Sequence, residues 1–195
     1  MRVFITVLVL IFSLQSWTKA DDINDFQIEG MSIGDSLLDY FNEEEIKKFH
    51  NYDNLPSDMK FRIAEYHSDD FKMDTYDGMQ VYYKPEDKKY IVFGLNGGLF
   101  CADDNMCKKQ YTNITNDLKI FFNNPDDAVT KTFKHLDDKS GKSLVKTWRL
   151  NLKKGYIAVR YTNWSDVMKY SDSVDVEIGT HELYKWVMNN YGVGN

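Results

Sequence analysis

Histidine is scarce in this chain, four in 195 residues, and none of the four stands in a metal-binding pattern. His181-Glu182 starts like an H-E-x-x-H helix, but the fifth residue is Lys185, so the second zinc ligand is missing. His181 reads instead as a first-turn residue of a final helix. Cysteine is scarcer still: Cys101 and Cys107 are the whole complement. The five residues between them do not make the C-x-x-C of a redox pair, and no histidine lies nearby to complete a metal set. No metal and no cofactor are expected. Basic charge is also short. Beyond residue 20, 22 Lys and Arg stand against 30 Asp and Glu, a formal net charge of −8, with no basic stripe. This balance argues against nucleic acid as a partner. The one long apolar run, residues 3–14, is too short to span a bilayer comfortably. Proline is scarce at three, while Lys, Asn, Asp, Tyr and Phe abound. That is the bias of an AT-rich genome, a statement about origin rather than fold.

Arg2 before the apolar run and Thr18-Lys19-Ala20 after it read as a secretory signal peptide over residues 1–20. Cleavage after Ala20 leaves a single α+β domain over 21–195, with no transmembrane segment after cleavage, in a periplasmic or secreted protein. In an oxidising compartment Cys101 and Cys107 are expected to form a structural disulfide.

Hydrophobic periodicity sets the expected elements. Ser32 and Asp35 resemble a capping box, and Ile33, Leu37 and Phe41 recur at i, i+4 and i+8 with Leu38 beside them, which predicts a helix from residue 32. Gly30 and Gly34 suggest a turn with positive φ or a close backbone approach. Asn42 and Glu45 predict a second capped helix, with Ile46 and Phe49 on its buried side. Residues 51–58 read as a loop, 59–66 as a strand or irregular edge, and 67–77 as a solvated acidic loop without the EF-hand order. A hairpin follows over 79–83 and 90–95, and Asn96-Gly97-Gly98 reads as a tight turn or bulge before a short strand at 99–101. Residues 107–122 have helical spacing and stop at Asn123-Asn124-Pro125. Strands are then expected over 129–136, 143–152, 156–162 and 174–178, and Thr180 caps a last helix. Short hairpin connections predict a mainly antiparallel sheet with helices packed on one face. The ranges 26–103 and 104–195 each run helix then strands. In element order this resembles the tandem halves of the β-lactamase-inhibitor-protein and outer-membrane assembly small lipoprotein folds.

Gly34-Asp35-Ser36-Leu37 spells the signature of GDSL-type esterases, which would make Ser36 a nucleophile. That chemistry needs a histidine base and a group to orient it. The family's base resembles a D-x-x-H, and the residues three before His50, His67, His135 and His181 are Lys47, Ala64, Thr132 and Ile178. The G-x-N-D block is also missing, so Ser36 and Asp35 read as first-turn helix residues. The Gly141-Lys142-Ser143 triplet lacks the P-loop glycine, with Leu136 at that position, and reads as a hairpin loop. Tyr156, Tyr161, Asn163, Trp164 and Asp166, with Tyr170, mark a candidate binding corner, since aromatic platforms beside Asn and Asp can stack sugars or pack a peptide. Asn113-Ile114-Thr115 and Asn163-Trp164-Ser165 match the glycosylation sequon.

The block from Ile28-Glu29-Gly30-Met31-Ser32 through Phe41, the Cys101 region, Asp138-Lys139-Ser140-Gly141-Lys142-Ser143 and the closing acidic strand with its Trp186 helix are similar to small secreted proteins of AT-rich marine alphaproteobacteria of the Pelagibacter type. The resemblance spans most of the chain beyond the leader, and its first block is the most specific. Arg160-Tyr161-Thr162-Asn163-Trp164 departs from a Cys-Tyr-Asp-Trp-like pattern of that group, so cysteine pairing can differ among its members. The resemblance implies fold and location and supplies no activity. The expected function is non-enzymatic binding of an unknown ligand or envelope protein. An esterase-like hydrolase using Ser36 and a purely structural envelope component are the rivals.

Overall fold

Val174, Val176 and Ile178 alternate with Asp175 and Glu177, and this one-sided strand is the middle of the fold. The computed structural model describes residues 22–49, 59–69 and 71–191. The leader, the loop at 51–58, His50, Asp70 and the closing glycines Gly192 and Gly194 lie outside the described residues. Nine strands and three α-helices are assigned: β1 (Gln27–Ile28), β2 (Met31–Ser32), α1 (Glu43–Lys48), β3 (Arg62–His67), β4 (Gly78–Tyr83), β5 (Val92–Phe100), α2 (Asp104–Phe121), β6 (Val129–Lys134), β7 (Leu144–Asn151), β8 (Gly155–Asn163), β9 (Ser173–Thr180) and α3 (His181–Tyr191). Seven strands form one sheet in the order β3-β4-β5-β9-β8-β7-β6, antiparallel throughout, and β1 pairs with β2 in a separate hairpin. The fold is α+β and mainly sheet. Strands from 26–103 and from 104–195 meet at β5 and β9 within that one sheet.

Period-two side-chain alternation gives the sheet two unlike faces. The first face carries Val81, Leu95, Trp148, Ile157, Val159 and the three apolar residues of β9, all buried. Helix α2 closes this face with Cys107, Tyr111, Thr115 and Leu118, spaced one helical turn apart. Burying each such aliphatic side chain contributes about 1.5–3 kcal/mol, so this face supplies most of the hydrophobic stability. Helix α3 lies on the opposite face. Tyr161 of β8 packs 6.2 Å from Tyr111 of α2, whereas Tyr156, five residues earlier and so pointing the other way, packs 5.2 Å from Tyr184 of α3. The helices thus take both faces rather than the one expected, because Leu183 of α3 needs burial and fits over Gly94, where a Cβ would meet it at 2.2 Å.

The stretch read as a helix from residue 32 is not one. Gly34 has φ of 95°, outside the right-handed helical region. The chain instead turns at Glu29 and Gly30, both with positive φ, and runs beside residues 90–92. There Gly34 N–H donates to the Val92 carbonyl, Val92 N–H to Asp35 and Leu37 N–H to Tyr90. Asp35 still accepts the Ser32 N–H at 2.8 Å, so the local bond exists without the helix. Ile33, Leu37 and Phe41 are buried as expected, and Leu38 is exposed. Helix α1 carries both bonds of the Asn42–Glu45 capping box. Asn96-Gly97-Gly98 does not turn either: β5 runs through it, and Gly97 leaves room for the Tyr76 ring, which a Cβ would meet at 2.7 Å.

Two ties hold loops to this frame, one long-range and one local. The Glu29 carboxylate accepts the N–H groups of Asp74, Thr75 and Tyr76 at 2.8–2.9 Å and fixes the acidic loop. Cys101 and Cys107 form the disulfide, joining the end of β5 to the first turns of α2. Replacing Glu29 by Ala strands three amides, and urea unfolding is expected to show a loss of about 2–3 kcal/mol. The Cys101→Ser, Cys107→Ser double variant should lose about 2 kcal/mol in the same measurement, since the closed loop is short.

Candidate functional site

Ser36 caps a 3-10 turn, Leu37–Asp39, and both of its hydrogen bonds go to main chain. Its hydroxyl donates to the Lys89 carbonyl at 2.6 Å and accepts the Leu38 N–H at 3.2 Å. A nucleophilic serine needs its proton directed at a base. Here the proton is directed at a peptide carbonyl.

The five residues of the expected aromatic corner fall into three places. Tyr161 and Asn163 converge beneath α2, where the Tyr161 hydroxyl and the Asn163 amide both donate to Asp104. Burial and the Asp104 charge hold the Tyr161 hydroxyl above its ordinary value. Trp164 lies in the loop after β8, its main-chain N–H donating to the Asp172 carboxylate, its ring 4.1 Å from His135 and 4.9 Å from Tyr170. Asp166 is exposed in the same loop. Tyr156 points to the other sheet face, where its hydroxyl donates to Glu177. Burial first, then the Glu177 charge, pushes that hydroxyl well above its ordinary value.

Asp138 organises the Trp164 region. It is buried and accepts four bonds: the Ser140 N–H, the Ser143 N–H, the Ser143 hydroxyl and the Ser165 hydroxyl, at 2.7–2.9 Å. These bonds tie the β6–β7 loop to the β8–β9 loop and hold the carboxyl far below the usual aspartate range. Leu136, Val167 and Tyr170 in these loops stay more than half exposed. Burial lowers the His135 pKa, against the opposing pull of Asp137. The Asp-Lys-Ser-Gly-Lys-Ser run is thus a hairpin loop built around one carboxylate.

A hollow lies elsewhere, on the second sheet face between α3 and edge strand β6. It is a groove of about 140 Å³. Strand register places its floor: Arg149 lies opposite Ala158, and Thr147 opposite Arg160. Lys131 of β6 lies opposite Thr147, so three cations surround the small floor residues Thr147 and Ala158. Tyr156 and Glu177 line one side, and Val129, Phe133, Val187 and Met188 supply an apolar wall. Arg160 pairs with Asp175 at 3.7 Å. Arg149 stacks over the Tyr184 ring at 4.2 Å, while its Nε is buried without a hydrogen-bond partner. Among the described residues no carboxylate lies within ion-pair distance of Arg149 or Lys131. Of the residues singled out from sequence, only Tyr156 lines this groove. Lys131, Arg149, Arg160 and Glu177 were missed; the available signal was the polar side of the strands whose apolar side was plain.

Among the described residues, no three His, Cys, Asp or Glu side chains gather as a metal-binding group, and no helix is long and apolar enough to cross a membrane. No protein-family model, curated protein or solved structure matches the chain.

The Asp138 geometry predicts a pH dependence. Its folded pKa lies below the unfolded value of about 3.9, so its stabilisation is complete above that value and is lost as the pH falls below it. Asp138→Asn should unfold at lower urea than the parent at pH 7, and the gap between the two midpoints should narrow between pH 4 and pH 2.5. A gap that stays constant would remove the carboxylate from this role.

Proposed function

We propose that this protein is a secreted or periplasmic, non-catalytic binding protein, and that the groove on its second sheet face is the ligand site. The observation that carries this reading is the pair of cations, Arg149 and Lys131, turned into a hollow without carboxylate partners. A stably folded sheet gains little from this placement of Arg149, since a half-buried cation without a partner keeps its desolvation cost, while the exposed Lys131 adds positive charge at the rim. A ligand supplies the missing partner. The groove also has the make-up of a small-molecule site, an apolar wall with a few convergent polar groups. The leader and the Cys101–Cys107 disulfide support an extracytoplasmic location. The resemblance to secreted proteins of marine alphaproteobacteria agrees with that location.

The Ser36 hydroxyl bonded to a carbonyl supports capping over catalysis. A fluorophosphonate probe is expected to leave the folded protein unlabelled at Ser36, and labelling there would favour the hydrolase. To test the groove, a mixed small-molecule library is screened by amide chemical shifts. Hits are expected to move Thr147 and Ala158 and to be lost in Ala158→Trp, which fills the floor. Hits that instead move Trp164 and Tyr170 would transfer the site to that corner.

A further inference from the structure

The chemistry of the groove narrows its ligand. Arg160 is balanced by Asp175 and lies near Glu177. Arg149 and Lys131 are not balanced, so the unmet charge in the hollow is positive, in a chain whose formal net charge is −6. Lys131 and Arg149 are diagonal neighbours across β6 and β7, with Lys131 opposite Thr147 and Arg149 two residues further on. Such neighbours stand about 7–8 Å apart at their Cβ atoms and can converge on one small head group. The planar guanidinium suits a carboxylate or phosphate face, and the ammonium adds a point charge. Val129, Phe133, Val187 and Met188 add an apolar wall beside the polar Thr147, Tyr156, Tyr184 and Glu177, so an apolar body has a surface to pack on. A hollow of about 140 Å³ is close to the size of an engineered cavity that holds benzene, so the apolar body must be small.

We infer that the groove binds a small amphipathic anion: one carboxylate or phosphate-monoester head between Arg149 and Lys131, and a short aliphatic or aromatic body against the apolar wall. This rests on the groove being the ligand site. It explains why two cations are kept on a sheet face beside a hydrophobic wall rather than being replaced by apolar residues or paired with acids.

Four eight-carbon probes test it on the disulfide-intact protein: octanoate, octyl phosphate, octanol and octylammonium. Binding is read from the amide shifts of Thr147 and Ala158. Octanoate, octyl phosphate or both should move these signals, with octanol at least tenfold weaker and octylammonium silent. Whichever anion binds more tightly identifies the head group. Arg149→Gln should weaken the anion at least tenfold and leave octanol unchanged. Lys131 is exposed, so Lys131→Gln is the variant free of folding consequences, and it should weaken the anion about threefold. Octanol or octylammonium binding as tightly as octanoate would overturn the anion assignment while leaving the groove as a site. No shift with any probe would overturn the assignment too, and the library screen then decides separately whether the groove binds at all. Movement of these signals that survives both substitutions would also contradict it.

Discussion

The hydrogen-bonded placement of β9 between β5 and β8 is the constraint on which the fold depends. The strand is the last of the described strands, yet it sits in the middle of the sheet. Its pairing with Val92–Phe100 and with Gly155–Asn163 makes one seven-stranded sheet out of a three-stranded meander and a four-stranded one. The β5–β9 contact closes a chain separation of about 80 residues, so its entropy cost is met only when the whole apolar face is buried. Helix α2 lies on β8 and β9, and the N-terminal segment lies against the same face, so both need β9 in place.

The alternation that makes β9 one-sided also separates two duties. Val174, Val176 and Ile178 face the buried core, while Asp175 and Glu177 face the groove side. A register slip of one residue would exchange these sets, which is why the pairing is strongly specified. The second face is not a plain solvated surface, because α3 shelters part of it and Tyr156, Ala158 and Asn96 there are buried. Charged groups in such a half-sheltered place interact more strongly than in water. Arg149, half-buried on this face without a partner, is a cost to folding, the tension between stability and function that a ligand site would carry.

What the sequence made legible was local. The Asn42–Glu45 box, the Thr180 cap, the stop at Asn123-Asn124, the hairpins and the close cysteine pair all rest on residues a few positions apart. The N-terminal stretch misled for the same reason. Ile33, Leu37 and Phe41 do bury together, but an irregular segment pinned to residues 90–92 buries them as well as a helix would. Asn96-Gly97-Gly98 has turn composition, but its glycine serves Tyr76, a ring twenty-one residues away in sequence. The role of Glu29 was hidden because its partners lie 45 to 47 residues away, and that of Asp138 because the loop it ties in, through Ser165, lies 27 residues away. The groove needs strand order as well as strands, since Lys131, Arg149, Arg160 and Glu177 come from four different ones. One piece was available from parity alone: Tyr156 and Tyr161 are an odd number of residues apart on one strand and therefore cannot share a face.

The proposed division between a face that holds the fold and a face kept for a ligand is tested most directly by stability, without any ligand. Urea midpoints would be compared for the parent, Arg149→Met and Val159→Ala. Val159 is fully buried on the first face, and its truncation should cost about 2 kcal/mol or more. Arg149→Met removes the unpaired buried Nε and replaces the guanidinium contact on Tyr184 with a thioether–ring contact, so its midpoint should equal or exceed that of the parent. A loss for Arg149→Met as large as that for Val159→Ala would show that Arg149 holds the fold, and the groove would lose its claim to be a binding site.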